Sequence, residues 1–250
     1  MEQLNIFTST AAVCRFFFGR NQGVRQDNFP YWMTPAAGLL SGLFFAVLSA
    51  AFVFLMGPVA GGILTAVFIP LALELFTGWR GLIISVACFE AVISGNKNLL
   101  NPLEKKGEKT QTELMQRQIL FASFYIFRMV VFGILAASGN AVWFVYVLGG
   151  AYLIRGELLK EDDFDAPAYG NWLMYVMFSL VTAVLAFHWS ALASFPLALV
   201  LTVLCLLGSR RIAETLSDRK EFWIAELLGY LSENIMLIVG LALFGRFIHG

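Results

Sequence analysis

Charged residues are scarce in this sequence, and their scarcity limits what the chain can be. Only 14% of its 250 residues are Asp, Glu, Lys or Arg, and 17 basic residues balance 17 acidic ones. A soluble domain carries about a quarter charged residues, so this chain has too few to cover a surface exposed to water. We therefore exclude an ordinary soluble enzyme and a disordered chain, and the balanced charge does not indicate a nucleic-acid partner.

Cysteine and histidine are also rare. The cysteines Cys14, Cys88 and Cys205 are far apart and fit no CxxC or CxxH spacing, which excludes a domain held together by disulfides. His188 and His249 have no His, Cys or carboxylate partner at metal-ligand spacing, so the sequence does not indicate a zinc site.

Hydrophobic residues, by contrast, make up 59% of the chain, and 24 phenylalanines raise the aromatic share to 15%. Runs of about 20 apolar residues predict membrane-spanning helices. We expect an all-α, polytopic membrane bundle that forms a single domain over residues 1–250, with an N-terminal interfacial segment over residues 1–34 that includes a helix at Leu4–Phe18. The seven predicted spans are Ala36–Met56, Val59–Thr77, Ile119–Ala137, Ala141–Ile154, Trp172–His188, Ala191–Leu207 and Phe222–Phe244.

The basic residues predict how the bundle is oriented. They gather near the N-terminus and in the segments 78–118, 155–171 and 208–222, whereas the joints at Gly57-Pro58 and Ser138–Asn140 carry none. All of these clusters fall in the cytoplasm if the short apolar segment Gly81–Ser94 is re-entrant or interfacial. We therefore predict an inner-membrane protein with its N-terminus inside, its C-terminus outside and its polar loops cytoplasmic.

Five charged residues fall within or beside the apolar segments, where charge is costly and marks a candidate site. Glu226 and Glu233 are seven residues apart with Gly229 between them, which places all three near one helix face. Two readings stay open: the carboxylates could hold Mg²⁺ bound to a phosphate substrate, or they could pair with Arg128 or with an arginine of a loop. The five residues are Glu74, Glu90, Arg128, Glu226 and Glu233.

Four stretches of the sequence are informative together: FTSTAAVCRFFFGR, YWMTPAAGLLSG, LELFTGWRGL and IAELLGYLSE. They resemble the cobalamin synthase family, the membrane adenosylcobinamide-GDP ribazoletransferases. The last is similar to the family's Gly-Asp-x-x-Gly-Ala followed by a glutamate, with Glu226 at the aspartate, Gly229 at the glycine and Glu233 at the later acid. The resemblance implies a transferase that joins ribazole (or its phosphate) to GDP-activated adenosylcobinamide, releases GMP and uses Mg²⁺.

The chain departs from the family after Thr77-Gly78. The family has His-Leu-Asp-Gly-Leu-Ala-Asp-x-x-Asp there, its expected Mg²⁺ cluster, whereas this chain has WRGLIISVACFE, with Arg80, Ile84 and Ala87 at the three aspartate positions. We expect a divergent member in which other residues supply the charges. The predicted catalytic residues are Arg80 and Glu226, the substrate-binding residues are Arg15, Gly229 and Arg155, and the metal ligands are Glu226, Glu233 and Glu90.

A second function stays open beside the transferase. A member of the same fold could have altered or lost activity and bind a corrinoid, or could scaffold a membrane complex. In either case the expected partners are the lipid bilayer and, for the transferase, the nucleotide-activated corrinoid and ribazole substrates. Assembly into a homo-oligomer is also left open.

Overall fold

The backbone of this protein forms α-helices and tight turns wherever the structure describes it, with no strand in those parts. The computed structural model describes residues 34–94, 111–159, 170–185, 189–216 and 222–244. Apolar surroundings favour helices because each helix satisfies its own backbone hydrogen-bonding groups. The helices are α1 (Thr34–Thr77), α2 (Arg80–Ser94), α3 (Gln111–Ala137), α4 (Trp143–Leu159), α5 (Gly170–Leu185), α6 (Trp189–Leu216) and α7 (Phe222–Phe244).

Helix α1 consists of two arms that meet at Gly57. The glycine has φ 81° and ψ 167°, outside the helical region, and Pro58 follows it. The arms, residues 34–56 and 58–77, pack along each other: Thr65 Oγ1 donates a hydrogen bond to Ser49 Oγ at 3.2 Å. The predicted break at Gly57-Pro58 is therefore confirmed, and it folds one long apolar run into a helical hairpin.

Helix α4 lies at the centre of the bundle. Every one of its residues except Glu157 is buried, and it packs against α1, α5, α6 and α7. Close approach of α1 depends on small residues, because a Cβ on Gly42 would lie 2.6 Å from the Cα of Val145. Trp143 Nε1 donates to the carbonyl oxygen of Met236 at 2.9 Å, which joins the first turn of α4 to α7.

Four of the described helices contain segments long and apolar enough to cross a membrane. Their outward side chains are apolar and exposed, with Phe54 at 88% and Val59 at 74%. Such an exterior suits a lipid environment and suggests a membrane protein. The four segments are Thr34–Thr77, Leu114–Ala137, Ser194–Thr215 and Trp223–Phe244.

Several helices extend beyond the predicted apolar spans. Helix α4 continues to Leu159, which puts Arg155 inside a helix rather than in a loop, and α6 continues to Leu216. The extension of α4 carries Leu158 and Leu159 into a buried hydrophobic cluster, so the helix continues past the charged residues that interrupt its apolar run. Helix α2 has 15 residues and packs mainly against α7 and α3. The predicted interfacial helix Leu4–Phe18 lies outside the described residues.

Candidate functional site

Five charged side chains meet in the interior of the bundle, where the second arm of α1 ends against α3, α4 and α7. All five are buried, with at most 4% of each residue exposed. They alternate in sign along a chain of ion pairs, so each positive charge lies between two negative ones. In order along this chain, the residues are Glu74, Arg128, Glu233, Arg155 and Glu226. We call this set the charged cluster.

Arg128 is the tightly held member of the charged cluster. Its Nη1 donates to Glu74 Oε1 at 2.8 Å, and its Nη2 donates to Glu233 Oε1. Its guanidinium carbon also lies 4.8 Å from the centre of the Tyr230 ring, within the range of a cation–π contact. Arg128 thereby ties the second arm of α1 to α7 through α3.

Arg155 is held more loosely. Its Nε is 3.3 Å from Glu226 Oε2, and its Nη2 is 3.9 Å from Glu233 Oε2. Neither Nε nor Nη1, both buried, has a hydrogen-bond partner among the described residues. The guanidinium carbon lies 4.8 Å from the centre of the Tyr152 ring. Arg155 is thus a buried cation whose donor groups are largely unused.

Two glycines make room for the large side chains of the site. A Cβ on Gly229 would lie 2.5 Å from Arg155 Cγ, and a Cβ on Gly81 would lie 2.5 Å from Cδ2 of Tyr230. Any side chain at these positions would displace its neighbour, because such separations are far inside van der Waals contact. The glycine between Glu226 and Glu233 therefore lets Arg155 reach both carboxylates.

A small cavity opens beside the charged cluster. Its volume is about 10 Å³ measured as the space open to the centre of a water molecule, which is about the minimum for one water. Its wall carries both arginines, two of the carboxylates and two tyrosines, so the cavity is polar in an otherwise apolar bundle. The lining residues are Leu73, Glu74, Thr77, Gly81, Arg128, Leu148, Tyr152, Arg155, Tyr230 and Glu233.

The structure brings together four of the residues chosen from the sequence: Arg155, Glu226, Gly229 and Glu233. Arg80 begins α2, next to the cavity-lining Gly81. Glu90 lies nine residues beyond Gly81, about 14 Å further along that helix. Arg15 lies outside the described residues.

Sequence reasoning placed Glu74 and Arg128 among the candidate charges, with Arg128 as a possible ion-pair partner, but assigned no catalytic, substrate or metal role to either, and it did not consider Tyr152 or Tyr230. Glu74 and Arg128 carried a signal, since both are charges inside apolar runs. The tyrosines carried none, because aromatic residues occur throughout this chain.

Metal binding has little support in the donor set. No group of three or more His, Cys, Asp or Glu side chains that could hold a metal occurs in the described part of the chain. Glu233 instead pairs with Arg128, as one of the two readings of its position expected. Because Glu226 and Glu233 face guanidinium groups, they do not fit a Mg²⁺ site as they stand. Mg²⁺ binding by Glu90, Glu226 and Glu233 stays a prediction.

Comparison of the chain with protein-family models, with curated proteins and with solved structures gives no match. The likeness to cobalamin synthases rests on the quoted sequence stretches alone. Function must therefore be inferred from the charged cluster and its surroundings.

Proposed function

We propose that this chain is an integral inner-membrane transferase of phosphorus-containing groups, of the cobalamin synthase type. It joins ribazole (or its phosphate) to GDP-activated adenosylcobinamide. A hydroxyl oxygen of the ribazole substrate forms a bond to the phosphorus nearest the corrinoid and its proton passes to solvent, while the phosphoanhydride bond breaks and GMP leaves with the bridging oxygen.

The buried charged cluster is the observation that carries this proposal. Ionised groups inside an apolar bundle are expensive, and they usually belong to a site. Phosphoryl transfer depends mainly on positioning and on fixed positive charge that neutralises phosphoryl oxygens. Arg128 and Arg155 both line the polar cavity, so they provide that charge where a substrate phosphate would bind.

The other predicted residues take supporting roles in the proposed reaction. Arg80, next to Gly81 in α2, is a third candidate cation for the leaving GMP. Glu226 is a candidate for orienting the ribazole substrate. Mg²⁺, where bound, would add a further positive charge, but the reaction does not depend on a metal for the roles given to the two arginines.

The proposed orientation puts this cluster near the cytoplasmic face. Seven spans, with the N-terminus inside, the C-terminus outside and α2 not crossing, leave the polar segments on one side. Glu74, Arg155 and Glu226 each lie within four residues of a helix end on that side. A soluble nucleotide-activated substrate would then reach the cluster without crossing the bilayer.

The direct test is release of GMP from adenosylcobinamide-GDP and ribazole phosphate by the purified protein in lipid vesicles, with and without Mg²⁺. We expect turnover that falls at least about 100-fold in Arg155→Gln, as for loss of one electrostatic group in a transfer site. Arg210→Gln removes a half-exposed arginine and is the matched control. Absence of turnover in the unaltered protein would refute the transferase.

One observation argues for a catalytically silent protein of the same fold, the second candidate, which would bind a corrinoid elsewhere on its surface or scaffold a membrane complex. Both arginines already face carboxylates, and the cavity has room for only about one water. Binding of adenosylcobinamide by the vesicles without any GMP release would support this alternative.

A further inference from the structure

The two arginines of the charged cluster differ in how firmly they are held. We propose that Arg155 is the oxyanion-binding group of the site and that it exchanges its contact with Glu226 for a phosphate group, while Arg128 stays fixed. This inference rests on the proposed function for the location of the site, and it names the group that receives the substrate.

The contacts of the two guanidinium groups carry the distinction. Arg128 uses both terminal nitrogens in hydrogen bonds to Glu74 and Glu233, so that among its buried nitrogens only Nε lacks a hydrogen-bond partner in the described part of the chain. Arg155 makes only longer ion pairs, and its buried Nε and Nη1 lack hydrogen-bond partners among the described residues. Arg155 is only 3% exposed. A buried donor without a hydrogen bond costs free energy, and a ligand that accepts a hydrogen bond from it recovers that free energy.

The position of Arg155 also suits a ligand that approaches from the side of the bundle on which the polar loops are proposed to lie. It lies four residues before the end of α4 and borders the cavity. Its partner Glu226 lies four residues after the start of α7, so Arg155 is about one turn from the end of its helix and Glu226 about one turn from the start of its own. The space over Gly229 lets the arginine side chain lie flat against α7.

The chemistry of the free donors selects the ligand class. A guanidinium fork donates two parallel hydrogen bonds to a phosphate or a similar tetrahedral oxyanion. Such a group is larger than one water, and it can take both hydrogen bonds of the fork only when Arg155 gives up its 3.3 Å contact with Glu226, which does not itself line the cavity. Glu226 therefore competes with the ligand, and the charge of Arg155 is never left unpaired.

The competition gives an unusual signature. Glu226→Gln removes the competing charge and is expected to tighten binding of inorganic pyrophosphate by about tenfold, the effect of one charge-assisted hydrogen bond. If Glu226 were a purely structural partner, its loss would weaken binding or leave it unchanged. Glu157→Gln is the matched control, since Glu157 pairs with the half-exposed Arg210 whereas Glu226 pairs with Arg155.

Two further variants test Arg155 itself by titration of pyrophosphate into the full-length protein in phosphate-free detergent, followed by calorimetry. Arg155→Lys keeps the charge but loses the fork, and Gly229→Ala pushes the arginine aside without a change of charge. We expect each to weaken binding about tenfold. Arg210→Lys and Gly208→Ala are the controls, because a Cβ on Gly208 meets nothing within 4 Å.

A parallel titration with dihexanoyl phosphatidic acid separates a soluble phosphate compound from a lipid headgroup. If binding of either ligand changes in the Arg155 and Glu226 variants, the oxyanion site is supported. The ligand whose binding changes shows whether the site takes a soluble phosphate compound or a lipid headgroup. The inference would be overturned if neither ligand binds, or if the control variants change ligand binding as much as the Arg155, Gly229 and Glu226 variants do.

The outcomes also separate this inference from the transferase. Pyrophosphate binding that tightens in Glu226→Gln, without GMP release by the unaltered protein, would keep the oxyanion site and reject the reaction. If the unaltered protein releases GMP but pyrophosphate binding is the same in Arg155→Lys and Glu226→Gln, the reaction is supported and the oxyanion site at Arg155 is rejected.

Discussion

The side chain of Arg155 passes directly over Gly229, so that an added Cβ on the glycine would lie 2.5 Å from Cγ of the arginine. This contact joins α4 to α7 at the level of the charged cluster. It explains why the sequence has a glycine between two buried glutamates, and it makes the position of Arg155 sensitive to a single methyl group.

Gly229→Ala is expected to destabilise the protein by about 1–3 kcal/mol, the usual cost of overpacking a core. The arginine must move away from α7, which lengthens its ion pairs with Glu226 and Glu233. Thermal unfolding in detergent measures the effect. Gly208→Ala adds the same methyl group to open space in α6 and should leave the midpoint unchanged or slightly raised. Equal midpoints in the two variants would contradict the packing of Arg155 on Gly229.

Arg128→Gln should be among the most damaging single changes in the chain. It leaves the buried carboxylates of Glu74 and Glu233 without their shared cation, and removal of one partner from a buried pair costs about 3–5 kcal/mol. The matched change is Arg211→Gln, whose side chain is 87% exposed, with an expected effect within about 0.5 kcal/mol. Chemical denaturation of both variants in one detergent gives the comparison. If both variants lower the free energy of unfolding by the same amount, the buried ion pairs of Arg128 do not stabilise the protein.

The hairpin within α1 predicts a specific cross-link. Ser49 Oγ and Thr65 Oγ1 are 3.2 Å apart although 16 residues separate them. Cysteines at both positions, in a chain whose native cysteines are replaced by alanine, should form an intramolecular disulfide on mild oxidation, because the side chains face each other at close range.

Mass spectrometry after proteolysis detects this cross-link. The control pair Ser49→Cys with Val59→Cys should stay reduced, since Val59 is 74% exposed on the outside of the second arm. Cross-linking of the control pair alone would show that the arms do not meet as described.

The proposed orientation predicts opposite locations for two reporter fusions. Alkaline phosphatase joined after Gly250 should be active, because the enzyme works only outside the cytoplasm and the C-terminus is proposed to lie there. The same reporter inserted after Lys105 should be inactive, since the basic segment 78–118 is proposed to stay inside. Activity at Lys105 would mean that α2 crosses the membrane and would invert the helices that follow it.

Composition and the spacing of apolar runs were sufficient to predict an all-helical chain with apolar, membrane-compatible helices. The break at Gly57-Pro58 could also be read directly, because a Gly-Pro pair is a frequent turn signal and the glycine can adopt the non-helical backbone that a break requires. Helix ends were harder to place. Arg155 was expected in a loop, but α4 continues through it to Leu158 and Leu159, which pack in a buried hydrophobic cluster.

Only the tertiary structure decided which charges meet. Glu226, Gly229 and Glu233 share a helix face by periodicity alone, so their proximity followed from the sequence. Pairing with Arg128 or with an arginine of a loop was one of two readings of the sequence, and the packing of α7 against α3 and α4 decided that both Arg128 and Arg155 take part. The same holds for Glu74, which is an isolated charge in the sequence and becomes one end of the charged cluster through Arg128.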